Sequence, residues 1–238
     1  MVAIEKKIKI LRQESKDTAP HWQTFSYCFD NKNETVANAL TQLNEREPLC
    51  DIDGTTTDEI SWQCSCLQKK CGACAMRING VPKLACDTKL ADCKGDIIQL
   101  EPLRKFPVVK DLIVDRAVLF ENLKQLKVWF EDEAKADSKK IEDVQDASRC
   151  LQCGCCLEVC PNFIPEGKFK GMATGVPLSR LIMELPESQK KEIYRNYRKH
   201  IYAGCGKSLS CHNICPAGIN TEHLMVKSNA VAVWRKKL

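Results

Sequence analysis

Apolar and polar residues alternate along 4–11, where Ile4, Ile8 and Ile10 are set against Lys7 and Lys9; this marks a strand with one buried face. Residues 23–29 supply its partner strand. Over 34–46 the apolar positions Val36, Leu40 and Leu43 recur at helical spacing, and Pro48 stops the run. A cysteine-rich loop over 64–74 follows. Next, Ala75-Met76-Arg77-Ile78 and Val81-Pro82-Lys83-Leu84-Ala85 flank Asn79-Gly80, a hairpin pair because both turn positions need positive φ. Residues 97–100 read as a closing strand. After 102–107 the period becomes helical, with helices expected over 111–129, 141–156, 178–185, 187–200 and 221–234. Pro186 falls at a helix start, where its missing N–H costs nothing. The pattern predicts an α+β domain, residues 1–104, followed by an all-α domain, residues 105–238.

The 238 residues suit two ordinary domains, and 44% hydrophobic content allows each a core. No stretch reaches the ~18 consecutive apolar residues of a membrane-spanning helix. Residues 1–7 lack the arrangement of a signal peptide, which gives the expectation of a cytoplasmic chain. Sixteen cysteines then change the picture. A secreted disulfide framework is the plain alternative, but the absent leader, the length and the adjacent Cys155-Cys156 pair suit metal ligation better.

The first cysteine motif reads Cys66-x4-Cys71-x2-Cys74, with Cys86 further on. This is the plant-type ferredoxin order, which holds a [2Fe–2S] cluster. Three thiolates on one loop wrap the cluster, and the hairpin through Asn79-Gly80 returns Cys86 to complete the cage. Gly72 lets the backbone approach closely, and loop N–H groups can reach the sulfurs. Cys64 competes with Cys66, but only Cys66 leaves the four-residue gap. A four-cysteine zinc site is the alternative, although it more often shows two Cys-x2-Cys pairs.

The second motif, Cys150-x2-Cys153-x2-Cys156-x3-Cys160-Pro161, matches the bacterial ferredoxin run, in which the fourth cysteine crosses to the other cluster. The frame repeats as Cys205-x2-Ser208-x2-Cys211-x3-Cys215-Pro216, with serine in the second place. Crossing gives Cys150, Cys153, Cys156 and Cys215 as a [4Fe–4S] set. It leaves Cys160, Cys205 and Cys211 as a three-thiolate set, hence [3Fe–4S]. A four-iron cluster with Ser208 oxygen or water on its last iron is the alternative.

The formal net charge of +5 suggests nucleic acid until the clusters are counted. Eleven thiolates add about −11 and oxidised cores return about +5, so the basic excess reads as compensation for buried anions.

The chain resembles the iron–sulfur subunit of the succinate dehydrogenase and fumarate reductase family. The resemblance rests on Cys71-Gly72-Ala73-Cys74-Ala75-Met76, Ile78-Asn79-Gly80, Val109-Lys110-Asp111-Leu112, Cys153-Gly154-Cys155-Cys156 and the two Cys-Pro endings. It implies an N-terminal β-grasp ferredoxin-like domain, a C-terminal α-helical ferredoxin domain, and [2Fe–2S], [4Fe–4S] and [3Fe–4S] clusters on the eleven cysteines named. It also implies relay of single electrons between a flavoprotein subunit carrying FAD, where succinate and fumarate interconvert, and a quinone at a membrane anchor or cytochrome b subunit. The chain itself would carry no catalytic residue, and it would lie on the inner face of the cytoplasmic membrane through its partners. One departure bears on the quinone. Many ubiquinone-linked members carry tryptophans after the Cys-Pro and a histidine after the first cysteine of the final motif. Here those places read Pro161-Asn162-Phe163-Ile164-Pro165 and Cys205-Gly206, which favours a menaquinone-linked or soluble-partner variant.

Cys28, Cys50, Cys64, Cys93 and Cys155 remain outside the clusters and read as small buried or near-cluster residues. His21, His200, His212 and His223 show no metal-ligand spacing. Lys69, Lys70 and Arg149 sit beside ligands, where their charges would offset the clusters. The basic stretch 190–202 reads as a solvated helix face, and Trp129 and Phe130 as inter-domain core.

Overall fold

The computed structural model describes residues 3–130, 133–134 and 139–235. Two of the residues used for the amino-terminal reading, Met1 and Val2, lie outside that set. The chain divides into two compact units, Met1–Asp115 and Arg116–Leu238.

In the first unit the alternating segments become β1 (Ile4–Arg12) and β2 (His21–Phe29), paired antiparallel with Ile8 opposite Phe25. Their inward residues Ile8, Ile10, Phe25, Tyr27 and Phe29 are buried, as period-two patterning requires. The helix α1 (Val36–Asn44) starts at Thr35, whose hydroxyl accepts from the Asn38 N–H at 3.2 Å, while the Asn38 side chain accepts from the Thr35 N–H at 3.0 Å. Its stripe Val36, Leu40 and Leu43 is fully buried and completes this core. β3 (Ala75–Ile78) and β4 (Val81–Leu84) form the hairpin, with Asn79 at φ 49° and Gly80 at φ 78°. β5 (Ile97–Glu101) runs parallel to β1 and antiparallel to β3, giving a mixed five-stranded sheet of order β2-β1-β5-β3-β4. Pro82 sits on the edge strand β4, where its missing donor breaks no ladder. This is the β-grasp, ferredoxin-like arrangement.

The division falls after Asp115 rather than near residue 105, and the helix expected from 111 starts later. Residues 108–114 form a second hairpin, β6 (Val108–Lys110) with β7 (Ile113–Val114), around Asp111 at φ 46°. Asp111 ties it to the first unit. Its Oδ1 accepts from the Gln13 N–H at 2.9 Å and lies 3.0 Å from Arg12 Nε, and its Oδ2 accepts from the Ser61 N–H at 2.9 Å. Periodicity could not see this knot, because β-branched residues flanking one aspartate look the same in a short helix.

The second unit contains helices and no strand among the described residues. They are α2 (Ala117–Gln125), α3 (Ile141–Ser148), α4 (Cys155–Glu158), α5 (Met172–Glu184), α6 (Lys190–His200), α7 (Ser210–Asn213) and α8 (Thr221–Ala232). α5 packs against α3, α6 and α8 through Leu178, Leu181 and Ile182, with Tyr197, Ile201 and Leu224 completing the core. Gly171, at φ 67°, opens α5; a Cβ there would stand 2.2 Å from Leu157 Cδ2, so glycine lets α5 begin against α4. The single helix expected over 141–156 is two, broken at 149–154 by left-handed Gln152 and Gly154. Pro186 leads a short 3-10 turn, Glu187–Gln189, before α6. Trp129 is 46% exposed rather than core. No helix among the described residues is long and apolar enough to cross a membrane.

Candidate metal centres

The loop before β3 turns its backbone N–H groups onto sulfur. Leu67, Lys69 and Gly72 hold positive φ, and this alternation of handedness makes successive amides converge. Cys66 Sγ accepts from the N–H groups of Gln68 and Lys70, each at 3.3 Å, and Cys71 Sγ from that of Ala73 at 3.5 Å. The Lys69 N–H reaches Cys86 Sγ at 3.4 Å, which brings the distant cysteine to the loop. The Gln68 and Lys70 amides hold the Cys66 thiol down to about 7, whereas burial pushes Cys74, beside Cys86, up to about 12. Lys69 and Lys70 therefore act through their amides. The Lys69 ammonium itself pairs with Asp87 at 2.7 Å.

In the helical unit two cavities adjoin. The first, about 400 Å³, is lined by Cys150, Cys153, Cys156 and Cys215 together with Gln152. The second, about 370 Å³, is lined by Cys160, Cys205 and Cys211 with Ser208 and Asn162. Cys156 and Met172 stand in both walls. The sequence repeat is also a backbone repeat. Gln152 and Gly154 flank Cys153 with φ 50° and 87°, and Lys207 and Leu209 flank Ser208 with φ 57° and 56°. Each left-handed pair leads into one short helix, α4 or α7. Leucine takes the place of glycine in the second half despite the steric cost, so the backbone flanking Ser208 repeats the one flanking Cys153.

Burial dominates the thiols here. It pushes Cys150 up to about 11 and raises Cys156 and Cys211, so these groups favour the neutral form until a metal charge offsets the desolvation. Cys153 is held at about 7, first by the Cys155 thiol that donates to it and also by the positive charge of Arg116. Cys155, fully buried, is thus a donor beside the site. Arg149 pairs with Asp146. Cys155, expected to be buried or near a cluster, is both. Spacing carried no signal for three further neighbours: Arg116, Gln152 and Thr221, whose hydroxyl lies 3.7 Å from Cys211 Sγ.

The donor chemistry fits iron–sulfur cores. The soft thiol sets exclude magnesium- or calcium-type centres. In the helical unit the thiols line cavities, which suits a polynuclear core.

Family models agree with this chemistry: a 2Fe-2S iron–sulfur cluster binding domain matches residues 7–121, and a 4Fe-4S dicluster domain matches residues 146–219. The protein is of the iron–sulfur class with two cluster-binding domains. It is 34% identical over 225 residues to the succinate dehydrogenase iron–sulfur subunit of Bacillus subtilis, covering 88% of this chain and 85% of that one. The fumarate reductase iron–sulfur subunit of Wolinella succinogenes is 28% identical over 240 residues, covering 94% and 92%. A chain of the Mycobacterium smegmatis Sdh1 complex has the same fold, with TM-score 0.77 at 21% identity and coverage of 96% and 97%. The chain belongs to the family of iron–sulfur subunits of succinate dehydrogenase and fumarate reductase, which are parts of oxidoreductase complexes.

Proposed function

We propose that this chain is the electron-relay subunit of a succinate or fumarate oxidoreductase. Cys66, Cys71, Cys74 and Cys86 hold a [2Fe–2S] cluster in the first unit. In the second unit, Cys150, Cys153, Cys156 and Cys215 hold a [4Fe–4S] cluster, and Cys160, Cys205 and Cys211 a [3Fe–4S] cluster. Bound clusters supply one-electron chemistry across a wide range of potentials. The residues do the rest. Loop amides donate to the sulfurs of Cys66, Cys71 and Cys86, the apolar walls around Cys150 and Cys156 exclude water, and Cys156 stands between the two helical cavities. That shared wall is the observation that carries the reading, because adjoining centres allow electrons to pass singly. The flavoprotein partner carries FAD, and a membrane anchor brings a quinone of menaquinone type to the three-thiolate end. The chain lies on the inner face of the membrane through these partners.

A second reading is a soluble complex without a quinone, since one position departs from the ubiquinone-linked pattern. Gly206 stands where ubiquinone-linked members carry histidine, and a Cβ there would lie 2.8 Å from Asn162 Oδ1. Co-purification with or without a quinone-reactive anchor separates the two. Metal analysis tests the proposal as a whole. About nine irons and ten acid-labile sulfides per chain are expected from three such clusters, and zinc without iron or sulfide would overturn it.

A further inference from the structure

Among the described residues of the helical unit, the Gln152 side-chain amide reaches a sulfur. Gln152 lies in the wall of the first cavity, and its Nε2 is 3.2 Å from Cys150 Sγ and 2.8 Å from the carbonyl oxygen of Ala173. Two acceptors on one NH2 group fix the amide's orientation, since the flipped form would turn Oε1 toward two electron-rich atoms. Gln152 holds φ 50°, a conformation that side chains rarely adopt. Its Oε1 is buried without a hydrogen-bond partner. Neither feature helps packing, and the two donated bonds offset them.

The acceptor on α5 has its own cause. Pro177 stands inside α5, four residues after Ala173. Proline has no N–H to return, so the Ala173 carbonyl loses its helical partner. Gln152 takes that place. A proline in one helix thereby fixes the amide that reaches a cysteine sulfur on the loop before another. The second half of the repeat lacks this device: Lys207 shares the left-handed backbone of Gln152, but its ammonium lies over the Tyr202 ring, 6.0 Å from the centroid.

Donation to a thiolate draws charge from the sulfur and favours the more negative, reduced state of the metal core it holds. We propose that Gln152 raises the reduction potential of the centre held by Cys150, Cys153, Cys156 and Cys215, through its bond to Cys150 Sγ. The inference rests on the reading of those cysteines as a four-iron site. Gln152 is a positioning residue that acts through its neighbour.

The test is an EPR-monitored redox titration of the anaerobically purified complex, wild type against Gln152→Met and Gln152→Lys. Gln152→Met keeps length and shape without a donor, and its four-iron midpoint falls by up to tenfold in the reduction equilibrium, about 59 mV for one electron. The [2Fe–2S] midpoint stays in place. Gln152→Lys keeps an N–H donor and holds the four-iron midpoint at or above the wild-type value. An intact four-iron signal at the wild-type midpoint in Gln152→Met overturns the inference. If that variant assembles no four-iron centre, a Gln152→Lys midpoint below wild type overturns it instead. A wild-type complex with no four-iron signal removes the underlying reading, and the inference with it.

Discussion

Replacing Asp111 with alanine strikes the knot that holds the first unit together. The carboxylate is 2% exposed and Arg12 is 5% exposed, so the ion pair at 3.0 Å lies out of water. Asp111→Ala leaves the guanidinium buried with neutral acceptors only: Gln23 Oε1 at 3.0 Å, Thr57 Oγ1 at 3.4 Å, and the carbonyls of Asp58 at 3.2 Å and Glu59 at 3.0 Å. It also strips acceptors from the Gln13 and Ser61 N–H groups. Breaking a buried pair from one side costs about 3–5 kcal/mol. At about 4 °C per kcal/mol for a unit of this size, thermal bleaching of the [2Fe–2S] absorption falls by about 12–20 °C at a fixed scan rate. Arg12→Met with Asp111→Ala removes both charges, and its loss falls short of the summed single losses by about 1–3 kcal/mol. A single-variant shift under about 4 °C, or strict additivity in the double variant, would refute the reasoning.

Ser208→Cys completes a fourth thiolate at the place that Cys153 holds in the first half, and converts the three-iron centre to a four-iron one. Persistence of an oxidised three-iron EPR signal would count against the assignment. Gly206→His brings a Cβ 2.8 Å from Asn162 Oδ1, the end of an exposed side chain that turns away, so three-iron content stays near wild type; a loss that adding Asn162→Ala restores would contradict this. Burial raises the Cys93 thiol, so it stays neutral at pH 8 and resists alkylation in the folded protein, whereas the exposed Cys28 reacts. The sign follows from linkage: a thiol raised on folding contributes stability below its unfolded pKa, and that contribution is lost as pH rises through the folded value. Mass spectrometry after iodoacetamide reads both sites, and equal labelling at Cys93 and Cys28 would contradict the burial.

The first unit was legible where local rules act alone. The alternation along Ile8 and Ile10 and the pair Asn79-Gly80 carry their own geometry, and α1 follows from Val36, Leu40 and Leu43. The hairpin around Asp111 was hidden, because its cause is a long-range bond set to Gln13 and Ser61. The broken helix at 149–154 was hidden for a related reason. Apolar periodicity ran through it, while cavity geometry demanded left-handed Gln152 and Gly154. Cysteine spacing named the side chains around both cavities. It could not supply Gln152, whose role depends on a carbonyl that Pro177 frees in a helix expected to begin only at residue 178.

The division of eleven cysteines into sets of four, four and three is the central claim, and an EPR-monitored redox titration of the anaerobically purified complex tests it most directly. The account predicts three one-electron centres: one two-iron and one four-iron signal on reduction, and one three-iron signal on oxidation. A second four-iron centre in place of the three-iron signal, or fewer than three centres in a fully loaded complex, would contradict it.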